Sequence, residues 1–204
     1  MKDQPCFTGH HPPREDLWDK LDRIRLAQED VILEDLDLGQ TCCFTGHRHI
    51  PRLVRVPLIE LLDGVIVNLI HQGVRYFGAG GALGFDTMAA FSVLRLKPRY
   101  PHIRLILVLP CKDQADAWSE EDKKRYNLIL HYADKVVYIS EQYSPGCMHR
   151  RNRHLVDHSG ICVCYLTEPK SGTAYTVNCA RQNGLRVINL AAANAKPKDF
   201  SKKV

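Results

Sequence analysis

The chain has 204 residues and a mass of 23.2 kDa, which predicts one globular domain with a short appendage. Hydrophobic residues make up 45% and charged residues 25%, which excludes a disordered, collagen-like or low-complexity chain. The formal charge of +5 is unevenly distributed: residues 1–38 carry five basic and ten acidic side chains, and residues 39–204 carry 23 and 13. The basic excess belongs to the main body, where we expect an anionic ligand.

Strands and helices are predicted to alternate along residues 40–190. Short apolar runs such as 103–109 are typical of buried strands, and apolar residues at helical spacing mark segments such as 58–70. The predicted strands are 40–45, 74–77, 103–109, 135–139, 160–166 and 185–190, and the predicted helices are 58–70, 83–96, 119–133, 145–158 and 173–183. This alternation predicts an α/β fold, a Rossmann-like three-layer sandwich with a mostly parallel sheet of about six strands.

The predicted domain organisation has three parts. Residues 39–192 form the Rossmann-like domain, and residues 193–204 form a basic C-terminal tail. Residues 1–38 form an N-terminal extension in which the pentapeptide CFTGH, at residues 6–10, precedes an identical copy at residues 43–47. This repeat indicates that the extension is a partial duplication of the first strand-loop-helix unit.

Two features predict a reduced, cytoplasmic protein. Residues 1–13 are polar and lack the apolar core of a secretory signal, and no apolar run is long enough to span a bilayer. Cys162 and Cys164, two of the eight cysteines, alternate within an apolar run, as buried strand residues do. Disulfide bonds are therefore the less favoured interpretation, and no membrane partner is expected.

Ligands of parallel α/β sheets bind beyond the carboxyl ends of the strands, so the loops that follow the strands are the candidate ligand-binding segments. The first loop holds Thr45, Gly46, His47 and Arg48, whose amides and guanidinium could bind a phosphate or carboxylate. The alternative is a simple turn with a solvated arginine.

The second loop, GAGGALGFD at residues 78–86, lies between a predicted strand and helix. Its glycines permit close approach of a ligand, and the helix N-terminus favours an anion. The pattern is neither G-x-G-x-x-G nor a Walker A loop, which argues against an NAD dehydrogenase or a P-loop nucleotidase. Asp86 could bind a ribose hydroxyl or cap the helix.

The third loop, KSGTAYT at residues 170–176, can offer amides and hydroxyls to a phosphate, or it can simply cap a helix. The segment MHRRNRH at residues 148–154 has three arginines that cannot all lie on one helix face, and we expect one to reach the strand-end cleft. No aromatic residues are interleaved with these arginines, which argues against a nucleic-acid partner.

Histidine and cysteine are frequent, but their spacing does not favour a metal site. Cys6-x3-His10 and Cys43-x3-His47 resemble ligand spacings only loosely, and no C-x2-C pair exists. The internal repeat explains their recurrence. We therefore expect no metal and no required cofactor, and no nucleophile motif is evident.

Five stretches in order resemble the YpsA-like branch of the SLOG superfamily, the Rossmann-like group that includes LOG nucleotide phosphoribohydrolases and DprA/Smf proteins. They are CFTGHR (43–48), YFGAGGALGFDTMAA (76–90), LILVLPC (105–111), CMHRRN (147–152) and SGTAYT (171–176). The resemblance implies a site for a nucleotide or a nucleotide derivative such as an ADP-ribose compound. It places the site at the glycine-rich loop, the Gly-Thr loop and the Arg-Asn helix.

The loops and the resemblance together give the candidate ligand-binding residues: Thr45, Gly46, His47, Arg48, Gly78, Gly80, Gly81, Gly84, Asp86, Pro110, Arg151, Asn152, Ser171, Gly172, Thr173 and Thr176. In the LOG enzymes a glutamate follows the Gly-Thr pair and supports N-glycosidic cleavage, and Thr176 stands at that place here. A threonine cannot act as a general base at neutral pH. Whether the chain is an enzyme is therefore left open.

Three functions remain at this point. We expect a protein that binds or senses a small nucleotide, and a homodimer is left open. The first alternative is a LOG-like phosphoribohydrolase in which Asp86 replaces the lost acid. The second alternative is a DprA-like nucleic-acid binder.

Overall fold

Six parallel strands form one sheet in the computed structural model, which describes residues 16–27 and 37–193. The strands are β1 (Thr41–Gly46), β2 (Tyr76–Ala79), β3 (Arg104–Leu109), β4 (Lys135–Tyr138), β5 (Ile161–Tyr165) and β6 (Arg186–Asn189). Their order across the sheet is β4-β3-β2-β1-β5-β6, and every neighbouring pair is parallel. The helices are α1 (Leu17–Ala27), α2 (Arg52–His71), α3 (Phe85–Leu96), α4 (Glu120–Tyr132), α5 (Cys147–Asp157), α6 (Gly172–Gln182) and α7 (Leu190–Ala193).

The alternation of side chains along each strand divides the core into two layers. On β1, Phe44 packs with α2, α3 and α4 on one face of the sheet, whereas Cys43 packs beneath α5 and α6 on the other. On β3, Leu107 and Val108 divide in the same way. Both faces of the strands are therefore covered, which is why their sequences are continuously apolar rather than alternating.

The strand order reverses between β1 and β5. Strands β1 to β4 extend the sheet in one direction, and the chain then returns through α5 to place β5 on the other side of β1. The loops that follow β1 and β5 therefore diverge to opposite faces of the sheet and leave a crevice between them. Parallel α/β sheets bind their ligands at such a reversal point.

The predicted fold class is confirmed, with a sheet that is parallel throughout the described residues. The clearest difference lies in α2, which begins at Arg52, six residues before the predicted start at 58. The prediction began at 58 because the apolar residues at helical spacing begin there. Pro57 lies in the second turn of α2, and the structure continues the helix through it.

Part of the N-terminal extension is described, and it is helical. In α1, Leu21 is buried and Trp18 stacks on Tyr132 of α4, with ring centroids 5.2 Å apart. Leu58, which lies 37 residues after Leu21, is equally buried in α2. The first CFTGH copy and residues 194–204 lie outside the described residues, so the duplication and the basic tail remain predictions.

Membrane insertion was not expected from the sequence. None of the helices in the described part of the chain combines the length and the apolarity that a bilayer crossing requires.

A buried ion pair connects α3, β3 and β4. The Lys97 ammonium lies 2.7 Å from the Asp134 carboxylate, and their side chains are only 3% and 6% exposed. Asp134 also accepts a hydrogen bond from the Leu105 amide at 2.7 Å. Burial lowers the pKa of Lys97 below its usual value, and the facing carboxylate offsets only part of that shift.

We expect Asp134→Asn to lower the free energy of unfolding by about 3 kcal/mol, because it removes the carboxylate that faces a buried ammonium. Urea denaturation measures the change. The matched control is Asp63→Asn, which breaks the more exposed Arg95–Asp63 pair and should change stability by less than about 1 kcal/mol. Equal changes in the free energy of unfolding of the two variants would show that burial does not determine how much the Lys97–Asp134 pair contributes to stability.

Candidate functional site

A polar cavity of about 330 Å³ opens at the carboxyl ends of β1 and β5, at the reversal point of the sheet. Its walls come from the β1–α2 loop, the β2–α3 loop, the first turn of α3, the first turns of α5 and the beginning of α6. The lining residues are Thr45, Gly46, His47, Arg48, Ala82, Asp86, Met148, His149, Arg151, Asn152, Ser171, Gly172 and Thr173. We call this space the central cavity.

Arg151 is the buried charge of the central cavity, with 5% of its surface exposed. Its Nη1 donates to the Gly80 carbonyl, and its Nε donates to Asn152 Oδ1 at 2.7 Å. Asp86, also buried, lies 4.0 Å away. Burial lowers the pKa of Arg151 and raises that of Asp86, while each charge opposes the shift of the other. An arginine in this setting keeps its proton, so the wall of the cavity holds a buried cation that is paired with Asp86.

Hydrogen bonds continue from Arg151 to the beginning of α6. Asn152 Nδ2 donates to Thr176 Oγ1 at 2.8 Å, and Thr176 Oγ1 donates to the Gly172 carbonyl at 3.0 Å. Because α5 supplies Arg151 and Asn152, it ties the glycine-rich loop to α6. Thr176 is 1% exposed, lies behind the cavity wall and uses its hydroxyl as both acceptor and donor.

The glycine-rich loop makes room for this arginine. A Cβ on Gly80 would overlap the Arg151 guanidinium and lie 2.7 Å from an Asp86 oxygen. Gly84 has a φ of +80°, and a Cβ there would overlap the Arg48 carbonyl. These glycines are therefore required by the close approach of protein groups, even before any ligand is considered.

The amides of the same loop are directed at Asp86. Hydrogen bonds from the backbone of Ala82 and Gly80 lower the pKa of Asp86 and partly offset its burial. At the beginning of α3, the Phe85 amide donates to the His47 carbonyl at 3.1 Å. The Phe85 amide is therefore engaged by a protein group, and anion binding at this helix N-terminus remains a prediction.

The N-terminus of α6 faces the central cavity. Ser171 caps the helix by accepting a hydrogen bond from the Ala174 amide at 3.1 Å. Gly172 and Thr173, the first two residues of α6, line the cavity, and a Cβ on Gly172 would meet no atom within 4 Å. The positive end of the α6 dipole and its first amides are thus directed into open space, as at helix termini that bind anions.

His47 connects the two loops that border the reversal point. Its Nε2 accepts the Thr167 amide at 2.9 Å, which places the ring proton of neutral His47 on Nδ1. The edge of the ring packs on Tyr165 at the end of β5, with centroids 6.2 Å apart. His47 thus holds the β5–α6 loop in place, in addition to lining the cavity.

Ten of the sixteen candidate residues line the central cavity. Gly80 contacts the lining residue Arg151, and Thr176 lies behind the wall of the central cavity. Gly84 packs beneath the Arg48 carbonyl, and Gly81 faces Leu109. Pro110, which follows β3, is buried away from the cavity. Ligand binding by these residues remains a prediction.

Gly78 lies in a different place. It lines a smaller apolar hollow of about 100 Å³ between the sheet and α5, together with Ile106, Val108 and Leu155. Its Cβ position is 3.0 Å from a Leu155 methyl group, so this glycine permits close packing of α5. The hollow has few polar groups for an anionic ligand to contact.

Three lining residues were not predicted: Ala82, Met148 and His149. Met148 lies four residues before Asn152 on α5, so helical spacing from the Arg-Asn pair could have identified it. Ala82 belongs to the predicted glycine-rich loop, but it carries no polar side chain that would have marked it as a candidate.

The family model described as the YspA SLOG family matches residues 54–188. The chain belongs to the YspA SLOG family. It is 35% identical over 141 residues to the uncharacterized SPbeta prophage-derived protein YoqJ of Bacillus subtilis, covering 63% of this chain and 82% of YoqJ. It is 33% identical over 120 residues to a UPF0398 protein of Halalkalibacterium halodurans, covering 57% of this chain and 64% of that protein.

Two solved structures share the fold at low identity. Both are DNA processing protein A, from Helicobacter pylori and Streptococcus pneumoniae, each with a TM-score of 0.52 and 18% identity. The first match covers 74% of this chain and 65% of that structure, and the second covers 72% and 48%. These similarities support the Rossmann-like fold.

We expect Gly80→Ala to lower the free energy of unfolding by about 1–3 kcal/mol, because the added methyl group displaces the buried Arg151. Gly64→Ala is the control: this glycine lies inside α2 with no atom near its Cβ position, so alanine should raise stability by about 0.5–1 kcal/mol. Urea denaturation compares the two. A neutral or stabilising Gly80→Ala would contradict the packing described.

Proposed function

We propose that the chain binds a nucleotide or a nucleotide derivative such as an ADP-ribose compound in the central cavity. The observation that carries the proposal is the convergence of the α6 N-terminus, Arg151 and Arg48 on one cavity at the reversal point. Two guanidinium groups and a helix dipole face a single carboxylate, Asp86. This balance favours an anionic ligand, and phosphate oxygens suit both amides and arginines.

The dimensions of the cavity also support a small ligand. About 330 Å³ lies at the lower end of the range for small-molecule sites. We place a phosphate against the amides of Gly172 and Thr173, where the helix dipole is strongest. Thr45 and Asn152 then supply hydroxyl and amide groups of the type that contact a ribose.

Binding without cleavage is the form of this function that the site supports best. Asp86 is the one carboxylate that lines the central cavity within the described residues, and it is held by Arg151 and two backbone amides. Thr176, at the place of the LOG glutamate, is buried and fully engaged in hydrogen bonds. Neither group is free to act on a glycosidic bond.

The cysteines support a cytoplasmic location as part of the same proposal. Seven of the eight lie in the described residues, where all are unpaired and six are buried. Unpaired buried thiols are typical of proteins in a reducing compartment.

One observation favours a nucleic-acid partner as a second candidate. The sequence argument against it was the lack of aromatics among the α5 arginines, but α6 supplies one. Tyr175 is 37% exposed, contacts the His149 ring with centroids 4.8 Å apart and accepts a hydrogen bond from Arg153 at 3.3 Å. An aromatic ring beside basic groups is a stacking surface for a base.

We expect Gly172→Asp to weaken the binding of AMP or ADP-ribose at least about tenfold, because it places a carboxylate where the phosphate should lie. The variant should fold, since the position is open and an acidic residue is favourable in a first helical turn. Gly172→Asn, of the same size but uncharged, is the control and should bind more tightly than Gly172→Asp. Titration calorimetry gives the affinities.

Equal affinities of the two Gly172 variants would contradict a phosphate at α6. The mixtures should also be analysed for free adenine and ribose phosphate after incubation. We expect neither product from the wild-type protein. Release of adenine would contradict the binding-only function and favour the phosphoribohydrolase.

Single-stranded DNA tests the second candidate. We expect no saturable binding of a labelled oligonucleotide to the wild-type protein at about 50 mM salt, where electrostatic attraction is strong. Saturable binding that Tyr175→Ala abolishes and Tyr175→Phe retains would favour the nucleic-acid function over the small ligand. Fluorescence anisotropy measures it.

A further inference from the structure

The first turns of α5 and α6 face each other across the central cavity. Asn152 Nδ2 donates to Thr176 Oγ1 at 2.8 Å, which fixes the second turns of the two helices together. Met148 lies four residues before Asn152, and Gly172 lies four residues before Thr176, so each lies on the same side of its helix as the bonded residue. Both line the cavity. The α5 wall of the cavity therefore lies opposite the first amides of α6.

His149 adds an aromatic ring to the α5 wall. It lines the central cavity, is exposed and follows Met148 in the first turn of α5. Its ring contacts that of Tyr175 edge to face, with centroids 4.8 Å apart and planes at 80°. Tyr175 lies three residues after Gly172 in α6, and its amide donates to the Ser171 carbonyl at 3.1 Å. The ring of His149 is thus held beside the first turn of α6.

Tyr175 is itself held by a second contact with α5. Its hydroxyl accepts a hydrogen bond from Arg153 Nη2 at 3.3 Å, and Arg153 lies four residues after His149 on the same helix. The Tyr175 ring is therefore oriented at two points, and it restricts the His149 ring in turn. A ring that is oriented before a ligand arrives loses less conformational entropy on binding.

The two walls of the cavity offer different chemistry. On the α5 side, Met148 contributes a polarizable thioether and His149 an aromatic ring, and both groups suit the flat face of another aromatic ring. On the α6 side, the amides of Gly172 and Thr173 suit phosphate oxygens. A sugar phosphate without a base would contact the α6 side and leave the α5 side uncovered.

We propose that the central cavity selects ligands with a nucleoside monophosphate unit over sugar phosphates, by stacking the base on His149. The phosphate lies at the α6 N-terminus, the ribose lies over Asn152, and the base lies against His149 and Met148. One ribose separates the two ends of such a unit, and both ends contact lining residues of a single cavity. This assignment rests on the proposed function, and it makes His149 a specificity-determining residue.

The test compares AMP with ribose 5-phosphate on the wild-type protein and its variants by titration calorimetry. We expect the wild-type protein to bind AMP at least about tenfold more tightly, which is the effect of one stacked base. His149→Ala should remove most of that advantage and change the affinity for ribose 5-phosphate less than twofold. His149→Phe should retain the advantage, because phenylalanine keeps an aromatic face.

The matched control is His154→Ala. His154 lies on the same helix, but it lines the apolar hollow rather than the central cavity. This variant should change neither affinity. Because His149 is exposed, its replacement should leave the fold intact.

The outcomes separate this inference from the proposed function. If AMP and ribose 5-phosphate bind the wild-type protein equally, or if His149→Ala weakens both equally, the stacking assignment is overturned and phosphate binding at α6 stands. Loss of the AMP advantage in His149→Phe would also overturn it, because the aromatic face would then not be the group that binds the base. If the wild-type protein binds neither compound, the proposed function fails and the inference fails with it.

Discussion

A buried guanidinium group needs hydrogen-bond acceptors and an opposite charge to replace its contacts with water. The burial of Arg151 therefore constrains the residues around it in the site. Its donors are met by the Gly80 carbonyl and by Asn152, and its charge by Asp86. These partners come from separate elements of the fold. The glycine-rich loop, the first turn of α3 and the second turn of α5 must therefore all be in place before the charge can be buried.

The sheet supplies the frame for this arrangement. Because strand order reverses between β1 and β5, the loops after these strands border one crevice, and His47 bridges it to the Thr167 amide. The N-terminus of α6 is left facing the crevice, whereas that of α3 is occupied by the β1–α2 loop. The N-termini of α3 and α6 follow similar loops, but they differ in access to a ligand because the β1–α2 loop packs against only one of them.

The sequence was sufficient for the architecture because strand and helix periodicity is local. It was not sufficient for the glycine-rich loop, whose partner Arg151 lies 71 residues further along the chain. The sequence does not distinguish a glycine that leaves room for a ligand from one that leaves room for a protein side chain, as Gly80 does for Arg151. Helical spacing likewise placed arginines on α5, but it could not show that Tyr175 of α6 lies beside Arg153.

The pairing of Arg151 with Asp86 and Gly80 also constrains how this site can change. Loss of the arginine alone would leave a buried carboxylate unpaired, and loss of Asp86 alone would leave a buried cation unpaired. A side chain at Gly80 is excluded while the guanidinium is there, and is admissible once it has gone. The three positions therefore form an epistatic unit: any single step away from the present combination is unfavourable, although the combined change need not be.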